Sequence, residues 1–219
     1  MKAVTVTVFM FVLWAFSAGQ PEILTSNFLD NCLTVVLPQY TRRLEDYALE
    51  SFNLKVKKTG LTNRDLKAEF HDGKMSGLSA PPGLRRVGDC GPVRQGLDTI
   101  LGCYISLEGL KMSYSGSARG ENLAGTNRSV DVEATLVQSK GFIELLRKPG
   151  SPPTLKSWTV LPLSFRLSFS RSLDLNSERK HGFEEQVKSN IEVASISVLY
   201  GPLREALVTA IDKTRLQSL

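Results

Sequence analysis

Histidine and cysteine are scarce in this 219-residue sequence, which has two of the first and three of the second. His71 lies in the turn signal HDG, and His181 precedes a helical stretch in ERKHG. Neither has a cysteine or a second histidine at the spacing that metal ligands require. The sequence therefore predicts no metal site, and no cofactor.

The motifs of the common catalytic machineries are also missing. There is no Gly-x-Ser-x-Gly elbow, no phosphate-binding Walker loop, no dinucleotide-binding glycine pattern and no zinc-protease motif. The segment GLSAPPG at 77–83 has a serine between glycines, but its spacing is not that of the elbow. We expect a protein that is not an enzyme, with no catalytic residues. An unrecognised hydrolase is the alternative, and it would show ionisable groups with shifted pKa values in a cleft.

Aromatic residues make up only 8% of the chain, and they are not interleaved with basic ones. That composition argues against binding of nucleic acid. The net charge of +5 is mild, and the basic pairs are scattered along the chain. This balance is compatible with transient contact with an anionic membrane surface.

One apolar run stands out, and it lies at the N-terminus. Lys2 precedes about 14 apolar residues, which end at Ser17, Ala18 and Gly19, whereas a membrane-spanning helix needs about 20. We interpret residues 1–19 as a secretory signal peptide and 20–219 as a single domain. The mature protein is then expected outside the cell, and its net charge becomes +4 because only Lys2 is lost.

Export makes a disulfide plausible, and three cysteines allow three pairings. We favour Cys90 with Cys103, which closes a short loop and would stabilise the fold by about 3 kcal/mol. Cys32 would then be a buried thiol, with an intermolecular disulfide as the alternative. Asn127 begins the only glycosylation sequon, NRS.

Apolar residues recur at helical spacing near both ends of the chain and alternate in between. The pattern predicts a helix over 26–49, strands from about 52 to 175, and a helix over 182–217 that bends at Gly201-Pro202. A bulge near Gly109 would keep one apolar face on the strand that runs from 103 to 115.

The alternation is longest in LPLSFRLSFSRSLDL, residues 161–175. A strand of that length spans about 50 Å, which matches the length of about 54 Å of a helix over 182–217. We therefore predict an α+β fold in which a long, strongly curved antiparallel sheet wraps around a long C-terminal helix, with an N-terminal helix beside it. The space between sheet and helices could hold an elongated apolar molecule, or it could be a filled core.

Residues 74–91, KMSGLSAPPGLRRVGDCG, resemble the mite group 7 allergens. Those allergens belong to the tubular lipid-binding superfamily, with the bactericidal/permeability-increasing and lipopolysaccharide-binding proteins and the insect takeout proteins. The order of elements in this chain is similar. The resemblance implies a single half-barrel that binds a lipid or other apolar ligand without catalysis.

We predict from these patterns a secreted carrier whose apolar ligand lies between sheet and helices. Arg85 and Arg86 are candidates for contact with an anionic headgroup. The alternative is a secreted protein-interaction or immune-modulating module with a filled core, which would bind a partner through its outer faces. The residues that we expect to line the ligand are Phe165, Leu167 and Phe169 of the sheet and Leu44, Tyr47, Val187 and Ile191 of the helices.

Overall fold

A computed structural model describes residues 20–61, 64–79, 83–95, 99–148, 151 and 153–217. The signal peptide expected at 1–19 lies outside these residues. The N-terminal helical segment consists of α1 (Gln20–Asn31), a π-helical stretch (Cys32–Val36), α2 (Leu37–Thr41) and a 3-10 turn (Arg42–Leu44). The strands are β1 (Tyr47–Leu49), β2 (Phe52–Val56), β3 (Leu66–Ser76), β4 (Arg85–Gln95), β5 (Thr99–Ser106), β6 (Lys111–Arg119), β7 (Asn127–Ser129), β8 (Val132–Leu136), β9 (Lys140–Arg147), β10 (Thr154–Val160) and β11 (Phe165–Phe169). Two helices follow, α3 (Ser177–Tyr200) and α4 (Pro202–Gln217).

The strands form two antiparallel sheets that share one strand order. The first sheet has the order β1-β3-β6-β8-β11, with β2 also on β3 and β7 also on β6, and the second has the order β10-β9-β5-β4. Along the chain, β3 is followed by β4 and β8 by β9, whereas β6 follows β5 and β11 follows β10. Each neighbour in one sheet therefore remains a neighbour in the other, and the two sheets together are one long sheet bent at a corner.

The corner is formed by residues 107–110, 137–139 and 161–164. Gly109 has a φ of 85°, which its lack of a side chain permits, and it lies where the predicted bulge was placed. The amide of Leu107 donates to the carbonyl of Ser139, and the amide of Leu161 donates to the carbonyl of Lys140. The Ser139 hydroxyl, which is buried, accepts from the amide of Ser164. Backbone groups at the bend thus keep partners without a regular ladder.

The predicted fifteen-residue strand over 161–175 is wrong in its position. The extended ribbon runs from β10 to β11, and residues 161–164 form its bend. Pro162 has no amide proton for a ladder, and Leu173 and Leu175 lie beyond the last strand. The alternation continues through the bend because Leu163 points into the core and the apolar residues of β11 remain half-buried.

The helices cover the concave side of the bent sheet. α3 packs on β2 and β11, while α4 packs on β10 and on the N-terminal helical segment. Gly201 separates α3 from α4, as the sequence predicted, and its backbone angles are not helical. The predicted helix over 26–49 extends too far, because it ends at Leu44 and Asp46 turns the chain with a φ of 56° into β1. The predicted fold class, a long curved sheet around a long bent helix with an N-terminal helix, is confirmed.

Both predictions about the cysteines are confirmed. Cys90 and Cys103 form a disulfide between the neighbouring strands β4 and β5. Cys32 is a free thiol with no exposed surface. Burial raises its pKa to about 11, although a hydrogen bond with Thr214 acts in the opposite direction.

Candidate functional site

A groove of about 430 Å³ lies between the edge of the first sheet and α3. On the sheet side, β1 and β2 follow one another along the same edge of β3, and residues 50 and 51 join them. On the helix side, the lining residues recur at spacings of three and four, so one face of α3 supplies them all. The lining residues are Tyr47, Ala48, Leu49, Glu50, Ser51, Phe52, Asn190, Val193, Ala194, Ser197 and Val198.

Part of the lining of this groove is apolar. Val193 is 68% exposed in the C-terminal half of α3, where an apolar side chain gains nothing from contact with water. Phe52 and Ala194 are half-buried and pack against the core. Leu49 is buried at the base of the groove. The groove therefore presents apolar side chains against which an aliphatic chain can pack, interspersed with the polar residues Glu50, Ser51, Asn190 and Ser197.

Aromatic side chains fill the interior behind the groove. The ring of Phe52 lies 4.9 Å from that of Phe70 and 5.1 Å from that of Tyr114, measured between centroids. Phe183 of α3 lies 6.3 Å from Phe70 and 5.4 Å from Phe169. This cluster fixes α3 on the sheet and so sets the width of the groove.

The charge of the groove is acidic. Glu50 is the one ionisable acid among its described lining residues, and none of those residues is basic. Burial, and then the charge of Glu50, raise the pKa of Tyr114 to about 12. The carboxylate of Glu50 is therefore close enough to act on the interior behind the groove.

The structure brings only some of the predicted ligand residues together. Tyr47 lines the groove, but it does so from β1 and not from a helix. Val187 and Ile191 are fully buried in α3 and do not line the groove. Leu44 lies in a separate depression of about 320 Å³ between the N-terminal helical segment and α4.

The predicted sheet residues Phe165, Leu167 and Phe169 all lie on β11 and are half-buried against the core. β11 lies at the opposite edge of the first sheet from β1 and β2, and Phe169 contacts Phe183 of α3. Sequence analysis missed Leu49, Phe52 and Val193. Alternation within LEDYALESFNLKV, residues 44–56, was the signal that could have placed two short strands there.

The two arginines predicted at a headgroup lie at the start of β4. Arg86 makes two hydrogen bonds with Asp30 of α1, at 2.9 and 2.8 Å, and it also contacts the carbonyl of Gly88. The contact with Asp30 raises the pKa of Arg86. Arg85 is exposed and lies 3.6 Å from Glu108. Contact of either arginine with a headgroup stays a prediction.

A basic surface, which we call the basic end, lies where β2 and β6 end and β3 begins. Lys58, Arg64, Lys67 and Arg119 surround a depression of about 600 Å³. Leu61 and Leu123, in the two loops that border it, are 94% and 52% exposed. Asp65 is paired with Lys55 at 2.8 Å, and this contact lowers the pKa of Asp65.

The loops of the basic end are tied to α3 by Arg179, whose side chain is buried. Its guanidinium donates to the carbonyls of Arg64, Gly120 and Glu121 at 2.8, 3.0 and 3.4 Å. The Glu121 carboxylate in turn lies 2.6 Å from Arg128.

Among the described residues, no group of three histidine, cysteine, aspartate or glutamate side chains could hold a metal ion. The helices of the described residues include none that is long and apolar enough to span a membrane. Asn127, the glycosylation candidate, is exposed in β7, and its modification stays a prediction.

These features define a bent antiparallel sheet with a long helix on its concave side and a groove between the two. No protein-family model matches the chain. Among solved structures it is similar to lipopolysaccharide-binding protein, with a TM-score of 0.41 and 14% identity over 91% of this chain and 37% of that one. It is also similar to Takeout 1 of Epiphyas postvittana, with a TM-score of 0.34 and 15% identity over 88% of both chains. The chain thus spans little more than a third of lipopolysaccharide-binding protein.

One curated protein is similar to this chain over almost the whole length of both. It is the salivary anticoagulant protein P23 of Ixodes scapularis, with 24% identity over 216 residues, which are 95% of this chain and 96% of that one. Residues 74–91 resemble the mite group 7 allergens, whose superfamily includes lipopolysaccharide-binding and takeout proteins. Both kinds of protein are among these structural neighbours.

Proposed function

We propose that this protein is exported and that it binds a lipid or other elongated apolar molecule, without catalysis, in the groove between β1–β2 and α3. The observation that carries the proposal is the exposed apolar surface in the lining of this groove, in particular Val193, together with the half-buried Phe52 and Ala194. Each methylene that enters such a site contributes about 0.8 kcal/mol, so an aliphatic chain binds there without specific polar contacts. The disulfide and the similarity to a salivary protein support export.

Uptake of the fluorescent apolar probe N-phenyl-1-naphthylamine tests this function. We expect saturable binding by the wild-type protein and displacement of the probe by a twelve-carbon alcohol. Val193→Lys replaces an exposed apolar lining residue with a charged one and should weaken binding of the probe at least about tenfold, because the apolar contact surface is lost and a charge avoids an apolar ligand. Val208→Lys is the matched control, since Val208 is 36% exposed on α4 and does not line the groove.

Equal binding by both lysine variants would place the probe elsewhere on the protein. No binding of the probe to the wild-type protein would contradict the proposed function. Circular dichroism of all three proteins establishes that they are folded alike.

A second candidate function is interaction through an outer surface, which the similarity to a salivary anticoagulant protein favours. The basic end is the surface best suited to this function, because it combines four basic side chains with two exposed leucines. Each basic residue near an anionic membrane contributes about 1 kcal/mol of attraction. Vesicles of phosphatidylserine and phosphatidylcholine should therefore bind the protein at low salt, and vesicles of phosphatidylcholine alone should not.

The variants Lys67→Glu and Arg119→Glu should reduce vesicle binding, and Arg166→Glu on the outer face of β11 is the control. Plasma clotting times measured with the same proteins test whether this surface also has an anticoagulant activity. Vesicle binding that does not depend on salt or on these residues would contradict a role for the basic end.

A further inference from the structure

Asn127, which begins the sequon NRS, lies in a row with two residues of the basic end. Across β3, β6 and β7, Lys67 lies opposite Arg119, and Arg119 lies opposite Asn127. Side chains that are directly opposite on neighbouring antiparallel strands stand on the same face of a sheet. All three are exposed, whereas Ala118, the preceding residue on β6, is buried. The row therefore lies on the outer face of the sheet.

The sheet fixes the distance between Asn127 and the basic side chains. Opposite Cβ atoms are about 5 Å apart, so Asn127 is next to Arg119, and Lys67 follows about 10 Å away along the row. Lys67 and Arg119 both line the depression of the basic end. Arg128 holds β7 at this edge through its ion pair with Glu121, whose side chain is 3% exposed. A group attached to Asn127 would therefore stand beside the basic end.

The proposed export brings the sequon to the enzymes that attach oligosaccharides to asparagine. In this reaction Nδ2 of Asn127 bonds to C1 of the first sugar, and the bond from that carbon to a phosphate oxygen of a lipid-linked oligosaccharide diphosphate breaks. The lipid diphosphate leaves, and the asparagine amide loses one proton. Ser129, the third residue of the sequon, is exposed on the same strand, so both ends of the sequon are accessible.

A glycan at this position would compete with a membrane for the same side chains. The attraction between a basic side chain and an anionic membrane falls off within a Debye length, which is about 8 Å at physiological salt. An attached oligosaccharide is bulky, and sugar rings in front of Arg119 and Lys67 would keep the membrane surface away from them. We propose that a glycan on Asn127 covers the basic end and weakens its contact with anionic membranes. This inference rests on the second candidate function, since it assigns a regulation to that surface.

Vesicle binding by the protein secreted from a eukaryotic host cell tests the inference, and mass spectrometry of peptides establishes which position carries a glycan. Asn127→Gln and Ser129→Ala each abolish the sequon. Both variants should bind vesicles of phosphatidylserine and phosphatidylcholine at least about fivefold more tightly than the wild-type protein, the effect of about one basic side chain at the membrane. Ser129→Thr is the matched control, because it keeps a sequon and should bind as the wild type does.

A second control moves the glycan along the same strand. Ser113→Asn, combined with Asn127→Gln, creates a sequon that ends at Ser115. Position 113 is exposed and lies about 20 Å from Arg119 along β6. This double variant should bind the vesicles as tightly as Asn127→Gln alone.

The inference is overturned by a secreted wild-type protein without a glycan on Asn127, by equal vesicle binding with and without that glycan, or by equal weakening from a glycan at position 113. Salt-dependent vesicle binding by the glycan-free variants would leave the role of the basic end standing in each of these cases. If the glycan-free variants do not bind the vesicles either, the second candidate function fails and the inference fails with it.

Discussion

At the scale of single residues, Arg179 is a charged side chain that is only 2% exposed. Its buried guanidinium serves three carbonyl groups, in the β2–β3 loop and after β6. Arg179→Met keeps the length of the side chain but leaves these carbonyls without their donor. We expect urea denaturation to show a loss of about 2–4 kcal/mol in the free energy of unfolding. Arg171→Met is the control, since Arg171 is exposed, and an equal loss in both variants would contradict this role.

The buried thiol of Cys32 makes stability depend on alkaline pH. Its pKa is about 11 in the folded protein, against an ordinary value of 9.0. Below about pH 9 the thiol is protonated in both states, but between pH 9 and 11 only the unfolded chain loses the proton. Stability should therefore fall by about 2–3 kcal/mol over this range. In Cys32→Ala the fall should be smaller, although Tyr114 still contributes above pH 10 in the same direction.

A thiol reagent provides an independent measurement on Cys32. At pH 8 the reagent should not modify the folded protein, and it should modify one thiol per molecule of the unfolded protein. Rapid reaction of the folded protein, or identical pH profiles for wild type and Cys32→Ala, would contradict this account.

Residue-scale predictions from the sequence succeeded where simple rules apply. The pairing of Cys90 with Cys103 followed from the short loop between them, and the burial of Cys32 followed from its apolar helical position. The position of Tyr47 could not be predicted in this way. Helical spacing of apolar residues continues by coincidence past Leu44, and the change to a strand depends on the positive φ of Asp46.

At the scale of elements, the bend of the sheet depends on side chains at the corner. The Ser139 hydroxyl accepts from the amide of Ser164 at 3.0 Å and is itself buried. Ser139→Ala should lower the free energy of unfolding by about 1–2 kcal/mol, because the amide loses its partner at the point where the ladder is interrupted. Ser115→Ala, on the exposed face of β6, should change it by less than about 0.5 kcal/mol. Equal values for the two variants would show that the corner does not depend on this hydrogen bond.

The elements themselves were predicted with mixed success. The bend of the C-terminal helix at Gly201-Pro202 could be predicted, because proline and glycine act locally. The single strand predicted over 103–115 is wrong: the chain does depart from a regular strand near Gly109, but this is the break between β5 and β6 and not a bulge within one strand. The position of the long strand predicted over 161–175 could not be derived from the sequence. Alternation over 161–175 shows which side chains point inward, but it does not show where the ribbon bends from one sheet into the other.

At the scale of the whole molecule, two surfaces have separate chemistry. The groove beside α3 combines apolar and polar side chains with one acid, Glu50, whereas the basic end carries exposed leucines among lysine and arginine. The curved sheet could be predicted, since it needs only one apolar face on each strand. The groove could not, because it depends on how closely the short strands β1 and β2 approach the helix.

The central claim is that an apolar ligand lies between β1–β2 and α3. Photochemical labelling with a diazirine-bearing twelve-carbon alcohol, followed by mass spectrometry of peptides, tests it most directly. The account predicts labelling within residues 47–52 and 190–198, suppressed by unlabelled dodecan-1-ol and by Val193→Lys. Labelling confined to other parts of the chain, such as the basic end or the depression at Leu44, would contradict it.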